Sequence, residues 1–276
     1  MKKNILITND DGIFAEGIQV LSEEIYKHHG DTVELFIIAP DHEQSAVSHA
    51  ITMHRPLRVE KVRYLHNEAL NCRSVTGTPA DCVKLAVEYL LPQKPDLVIS
   101  GINRGSNLGT DVLYSGTFSA ALEGALQELP ALAVSLTETR KPNFRIAAAF
   151  ICNLLPVILS HSLPPQTLLN INVPQPEGGI KGIEVTRLGS RRYRNTFEER
   201  VDPRGKSYYW LAGELDDVHE EGSDVNAINE GNISITPVHF DITNYDLIQP
   251  MCDLLDRDLL DKIQACNTSS EPGGSS

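Results

Sequence analysis

Basic residues are scarce in this chain of 276 residues: 24 Lys and Arg stand against 37 Asp and Glu, for a formal net charge of -13. The deficit argues against a nucleic-acid groove or an anionic membrane surface as the main partner. An anionic ligand must therefore be held by local devices, such as a metal ion or a helix N-terminus, because the overall field repels it. Patterned cysteine is lacking as well. Cys72, Cys82, Cys152, Cys252 and Cys266 form no CxxC pair and no zinc spacing, so reduced thiols are expected, with Cys82 as a small buried residue. No apolar run is long enough to span a bilayer, and the run after Met1-Lys2-Lys3 is too short for a secretory leader, so a cytoplasmic protein is expected. No internal repeat stands out. What remains is an ordinary folded composition, 41% apolar and 22% charged, in a chain long enough for one large domain with a sizeable appendage.

What is present begins with a buried strand at Asn4 to Thr8, released into Asn9-Asp10-Asp11-Gly12. Aspartate is a poor strand residue, and adjacent carboxylates repel unless a cation or strong donors neutralise them. A turn with a helix cap explains one of these acids but not both. A helical stripe over Gly17 to His28 and a second buried strand over Val33 to Ala39 give β-α-β connectivity and a parallel pair. A polar loop, Asp41 to His49, follows at the same sheet edge. Leu57 to Val62 and Leu70 to Val75 are expected to be extended and to form an excursion off the main sheet. Thr78-Pro79-Ala80-Asp81 has the form of a capped helix start running to about Leu90, with Asp81 as its first-turn acid.

A third buried strand, Leu97 to Ile99, is expected to end in a glycine-rich loop from Ser100 to Gly109. Small residues there allow close approach of backbone N–H groups to a ligand. Ser115-Gly116-Thr117 then opens a helix over Phe118 to Leu129, a ready phosphate seat. Further strands are expected at Ala131 to Leu136, Leu168 to Val173 and Ile233 to Pro237, with a helix at Phe144 to Leu159. Beyond Pro174 the texture changes. Tyr193 to Val201 and Lys206 to Leu211 flank Pro203-Arg204-Gly205 as an extended hairpin, and Glu214 to Asp224 reads as a solvated acidic loop. Arg187, Arg191, Arg192 and Arg194 are expected to pair with Glu198, Glu199 and other acids rather than bind phosphate. Pro250 to Ile263 should form a terminal helix, with a disordered tail from Asn267.

These readings assemble into an α/β protein with a Rossmann-like three-layer core and a mainly parallel sheet over residues 1–180. A C-terminal extension of hairpin, strand and helix over 181–266 and a tail over 267–276 complete it. The extension is too thin for its own core, so it is expected to pack on another subunit in a homodimer or homotetramer. Loops after the buried strands converge on one edge, bringing Asp10, Asp11, Ser45 and Asn103 together with Asn9 alongside. All are hard oxygen donors, which suit magnesium, manganese or calcium better than zinc. The GxGxxG turn that a dinucleotide-binding dehydrogenase needs after its first strand is missing, and the acid pair there would repel a pyrophosphate. A second alternative is a non-catalytic Rossmann-like interaction protein that works through its C-terminal arm.

The blocks Asn9-Asp10-Asp11-Gly12, Ala39-Pro40-Asp41 with Gln44-Ser45-Ala46, Gly77-Thr78-Pro79-Ala80-Asp81-Cys82, Ser100-Gly101-Ile102-Asn103-Arg104-Gly105 and Tyr114-Ser115-Gly116-Thr117 resemble the SurE family of nucleotidases. The likeness continues through Asn170-Ile171-Asn172-Val173-Pro174 and Ser234-Ile235-Thr236-Pro237. It implies a phosphomonoesterase acting on nucleoside 5′-monophosphates, with 3′-nucleotidase and exopolyphosphatase activity in some members. One divalent ion per subunit, magnesium, manganese or cobalt, is implied, with ligands Asp10, Asp11, Ser45 and Asn103. Asp10, Asp11 and Asn9 would then carry the catalysis, and Asn103, Ser115, Gly116 and Thr117 would hold the substrate. The loop after Ser45 varies in the family, which leaves His49 without an assigned role.

Overall fold

In the computed structural model, residues 2–64, 67–137, 140–161, 163–194, 197–215 and 219–255 are described. The opening apolar run forms β1 (Lys3–Thr8), followed by α1 (Glu16–His29) and β2 (Val33–Pro40), with β1 and β2 parallel. Then come β3 (Val59–Tyr64), β4 (Asn67–Val75), α2 (Pro79–Leu85) and β5 (Leu97–Arg104). A 3-10 turn at Gly109–Leu113 leads into α3 (Gly116–Leu126), β6 (Ala131–Leu136), α4 (Phe144–Ser160) and β7 (Thr167–Val173). β8 (Gly182–Val185) precedes four short strands, β9 (Tyr193–Arg194), β10 (Phe197–Val201), β11 (Ser207–Leu211) and β12 (Glu214–Leu215). Next are α5 (Asp224–Asn229) and β13 (Asn232–His239).

The main sheet has nine strands in the order β3-β4-β2-β1-β5-β6-β7-β13-β8. The six from β4 to β7 run parallel, while β3 at one edge and β13 with β8 at the other run opposite to them. Chain order turns outward in both directions from β1 and β5, which makes the crevice beyond their carboxyl ends the natural ligand site of such a sheet. Alternating side chains of β1 serve both faces. Ile5 and Ile7 share a buried cluster with Ile18 and Leu21 of α1 and Ile151 and Leu155 of α4. Leu6 shares another with Cys82 and Val83 of α2 and Phe118 and Ala121 of α3. Three layers result, α/β as expected. No described helix is long and apolar enough to cross a membrane.

The structure differs from the expectations at three places. β3 and β4 are not an excursion: β4 pairs in parallel with β2 from Phe36↔Asn71 to Pro40↔Val75 and extends the main sheet. Leu70 and Cys72 bury one face of β4 in the same cluster as α1, and that burial draws the pair into the sheet. β5 does not stop at Ile99. It resumes its pairing with β6 after an irregularity, with Asn103 opposite Ser135, because Ile102 is fully buried and holds the strand down. The acidic stretch is not uniformly solvated either. Asp224 is completely buried at the start of α5 and accepts the N–H groups of Gly109, Gly189 and Val225 at 2.8 Å each. Asp216 and Asp217 lie outside the described residues.

The hairpin forms as the turn residues require, β10 against β11, with Asp202 Oδ1 accepting the N–H groups of Arg204 and Lys206 at 2.8 and 2.9 Å. β9 with β12 prolongs the ribbon toward the core. Two residues of the basic run pair with acids, though not with Glu198 or Glu199: Arg187 bonds Glu220 at 2.7 Å and Arg191 bonds Asp111 at 2.8 Å. The expected cap on α2 is present in both directions, Thr78 Oγ accepting from Asp81 N and the Asp81 carboxylate accepting from Thr78 N. Contacts divide the chain into residues up to Phe240 and a second unit from Asp241. The described part of that unit is a 3-10 turn at Tyr245–Leu247 and α6 (Ile248–Leu254). The rest of the expected terminal helix, Cys266 and the tail from Asn267 lie outside the described residues.

Candidate active site

Every expected site residue belongs to the first unit, and β1 aims the first of them. Asn9, directly after the strand, is fully buried; its Nδ2 donates to Gly12 O at 2.9 Å, while its Oδ1 is buried without a partner. An unpaired buried amide oxygen beside two acids is a donor suited to a hard cation. Asp10 is buried against the start of α3. Thr117 gives it both its backbone N–H and its hydroxyl, so the positive end of that helix faces the carboxylate. Gly116 is what permits the approach: a Cβ there would lie 2.8 Å from Asp10 Cβ and 2.9 Å from Asp10 Oδ2. Burial pushes the Asp10 carboxyl up and the Thr117 donors oppose it.

Asp11, half-buried, is pushed up to about 6, first by burial and then by the neighbouring Asp10 charge. Its Oδ2 accepts the Arg104 N–H at 3.3 Å, which offsets only part of the cost. The loop after β2 is tied in through Gln44 N, which donates to Asp10 O at 2.7 Å. Ser45 is exposed there and donates its hydroxyl to Glu43 Oε1 at 2.7 Å. Asn103, on β5, donates from Nδ2 to Gly105 O at 2.8 Å. Ser115 caps α3, its Oγ accepting from Phe118 N at 3.0 Å.

Asp10, Ser45, Asn103 and Ser115 line one cavity of about 720 Å³, together with Tyr114, Asp111 and Tyr193. Asp11 opens onto a neighbouring cavity of about 500 Å³, which shares Ser45 and Arg104 with the first. Gly116 and Thr117 stand behind Asp10 and Asn9 beneath it. The Ser115 and Thr117 hydroxyls, expected to face a phosphate, are already engaged with the helix and with Asp10. Among the described residues no group of three or more His, Cys, Asp or Glu could hold a metal. Two carboxylates supplemented by neutral Ser and Asn oxygens still fit a hard divalent ion that keeps several waters.

Several supporting residues were not foreseen. Asn107 lies under the cavity at the centre of a buried polar network. Its N–H donates to Asn172 Oδ1 at 2.8 Å and its Nδ2 to Ser135 Oγ at 2.8 Å, and its carbonyl accepts from Asn170 and Asn172. Asparagines at alternate positions of an otherwise apolar strand, Leu169-Asn170-Ile171-Asn172, were the available signal. His49, unassigned from sequence, bonds Glu123 at 2.9 Å, while Ser48 Oγ donates to Leu113 O at 2.7 Å. These contacts anchor the Ser45 loop on α3 and on the turn before it.

Comparison with known proteins then decides the family. The family model described as "Survival protein SurE" matches residues 5–195. The chain belongs to the SurE family. It is 53% identical over 253 residues to the 5′-nucleotidase SurE of Heliobacterium modesticaldum, covering 91% of each chain. It is 51% identical to the 5′-nucleotidase SurE of Moorella thermoacetica, over 91% of this chain and 95% of that protein. The crystal structure of the SurE protein of Aquifex aeolicus superposes with a TM-score of 0.78 at 38% identity, covering 92% of this chain and all 100% of that one.

The contact between Gly116 and Asp10 yields a direct prediction. Gly116→Ala must displace either the carboxylate or the start of α3, with an expected loss of about 1–3 kcal/mol in chemical denaturation. A variant as stable as the parent would show that the approach is not tight.

Proposed function

We propose that this SurE-family chain is a metal-dependent phosphomonoesterase that converts nucleoside 5′-monophosphates to nucleoside and phosphate. The observation that carries the reading is the pair of adjacent carboxylates, Asp10 lining a cavity of about 720 Å³ with the hard oxygens of Ser45 and Asn103, and Asp11 lining the adjoining cavity of about 500 Å³. The 5′-nucleotidase names of relatives about half identical in sequence support the same reaction class.

Asp10, Asp11, Ser45 and Asn103 are the residues proposed to hold one divalent ion, magnesium, manganese or cobalt. When bound, the ion supplies charge neutralisation for the phosphate oxygens and lowers the pKa of a water. Asp10 is kept in place by the Thr117 donors, so its lone pairs are oriented before substrate arrives. A carboxylate of the pair takes the proton of the attacking water. The water oxygen bonds to phosphorus, the ester P–O bond breaks, and the ribose oxygen leaves as it takes up the proton that the carboxylate removed from the water, returned directly or through solvent. Asn9 fixes the turn that presents both acids, through its bond to Gly12 O. Asn103 and Ser115, which line the cavity, orient the phosphoryl oxygens. We further propose that 3′-monophosphates and the ends of polyphosphate chains enter the same site.

The test is a panel of nucleoside monophosphates and polyphosphate against several divalent ions. Asp10→Asn and Asp11→Asn are expected to lose roughly a hundredfold or more in turnover, beyond the range for residues that only support ligands, while remaining folded. Full turnover in either variant contradicts the site, and no phosphate release by the parent with any ion favours an interaction protein instead.

The arm is the proposed subunit contact. Every residue of β10 and β11 is exposed, with Phe197, Tyr209, Trp210 and Leu211 each more than half so. Such a surface is what a homodimer or homotetramer covers. Light scattering is expected to give a dimer or tetramer mass; a monomer mass at micromolar concentration contradicts this.

A further inference from the structure

We infer that Tyr114 and Tyr193 form a nucleoside subsite within the 720 Å³ cavity, and that this aromatic wall sets which phosphomonoesters the enzyme prefers. The inference rests on the nucleotidase reading and adds to it the residues that recognise the leaving group. The cavity combines the hard oxygens of Asp10, Ser45 and Asn103 with the rings of Tyr114 and Tyr193. Its volume falls in the range of small-molecule sites, roughly 300–1,000 Å³. The two residues are 65% and 45% exposed, so neither ring is enclosed in the core. Every nucleobase has a π-face that such rings can stack on without reading its edges.

The wall is also built to hold still. Tyr193 donates its hydroxyl to Asp111 Oδ2 at 2.7 Å, and Arg191 bonds the same oxygen at 2.8 Å with both side chains largely buried. Arg191 balances the Asp111 charge, so this wall does not add to the repulsion of a nucleotide. Tyr114 N donates to Asp111 O at 3.0 Å, and Tyr114 O accepts from Ser48 N at 3.1 Å. Deeper, Asp224 accepts Gly109 N and Gly189 N at 2.8 Å each. Gly109, at a φ of +51°, lets the two segments meet, since a Cβ there would lie 2.6 Å from Gly189 O. The turn that presents Tyr114 and the base of the arm that presents Tyr193 are thus one assembly, ordered before ligand enters. Asp111 is a positioning residue in this arrangement.

The experiment compares kcat/KM for adenosine 5′-monophosphate and for glycerol 2-phosphate, which carries no base, on the full chain with one divalent ion. Tyr114→Ala and Tyr193→Ala are each expected to lower the ratio of the two by roughly tenfold, mainly through KM for the nucleotide. Tyr193→Phe, which keeps the ring, is expected to retain most of the ratio. In the parent protein adenosine alone should inhibit glycerol 2-phosphate hydrolysis competitively, and ribose should not. An unchanged ratio, equal losses on both esters, or no inhibition by millimolar adenosine overturns the subsite alone. A parent protein that hydrolyses neither ester overturns the nucleotidase reading beneath it.

Discussion

The carboxylate of Asp10 pressed against the N-terminus of α3 is the contact on which the rest of the site depends. A buried aspartate beside a second aspartate is unfavourable in water-excluded surroundings unless donors or a cation meet the charge. Here Thr117 supplies two donors from the helix end, and the missing side chain of Gly116 makes room for them. That arrangement satisfies one acid by half. Asp11, with a single long N–H bond at 3.3 Å, stays in the field of its neighbour and is pushed up to about 6. The structure therefore leaves an electrostatic demand at the sheet edge, which the proposed divalent cation would meet.

Everything around that demand serves to hold its shape. The loop carrying Ser45 is fastened in front by Gln44 to Asp10 and behind by His49 to Glu123. Burial pushes Glu123 up, yet the His49 and Gln127 donors and the Lys84 charge hold it below the usual carboxylate range, so the anchor is charged where it is needed. Under the cavity, Asn107 meets Ser135 of β6 and Asn170 and Asn172 of β7, a buried polar network that fixes the floor. The arm joins through Asp224 and Asp111, and its base closes one side of the cavity. Chain that reads as a peripheral appendage thus contributes directly to the lining of that cavity.

Much of this was legible in the residues. The alternation of buried strands and amphipathic helices predicts the layered sheet, and adjacent acids after a buried strand single out the edge that matters. The capping signals at Thr78 and Ser115 are local, and both are met. What escaped the sequence is long-range. Nothing in Leu70 to Val75 says that β4 will dock on β2 rather than leave the sheet, because that depends on which edge is free. Asp224 sits in an acidic run and looks solvated, yet its partners are backbone groups 115 and 35 residues away. The engagement of the Thr117 hydroxyl with Asp10 was hidden for the same reason. A hydroxyl at a helix start reads as a ligand donor until the residue opposite it is known.

The central claim is that one cation neutralises Asp10 and Asp11 together. Anomalous diffraction from crystals soaked in manganese tests this most directly. The account predicts a single strong peak bonded to a carboxylate oxygen of each residue, with the Ser45 and Asn103 oxygens drawn toward it. A soaked crystal with no peak between those carboxylates, or with manganese bound only elsewhere, would contradict it.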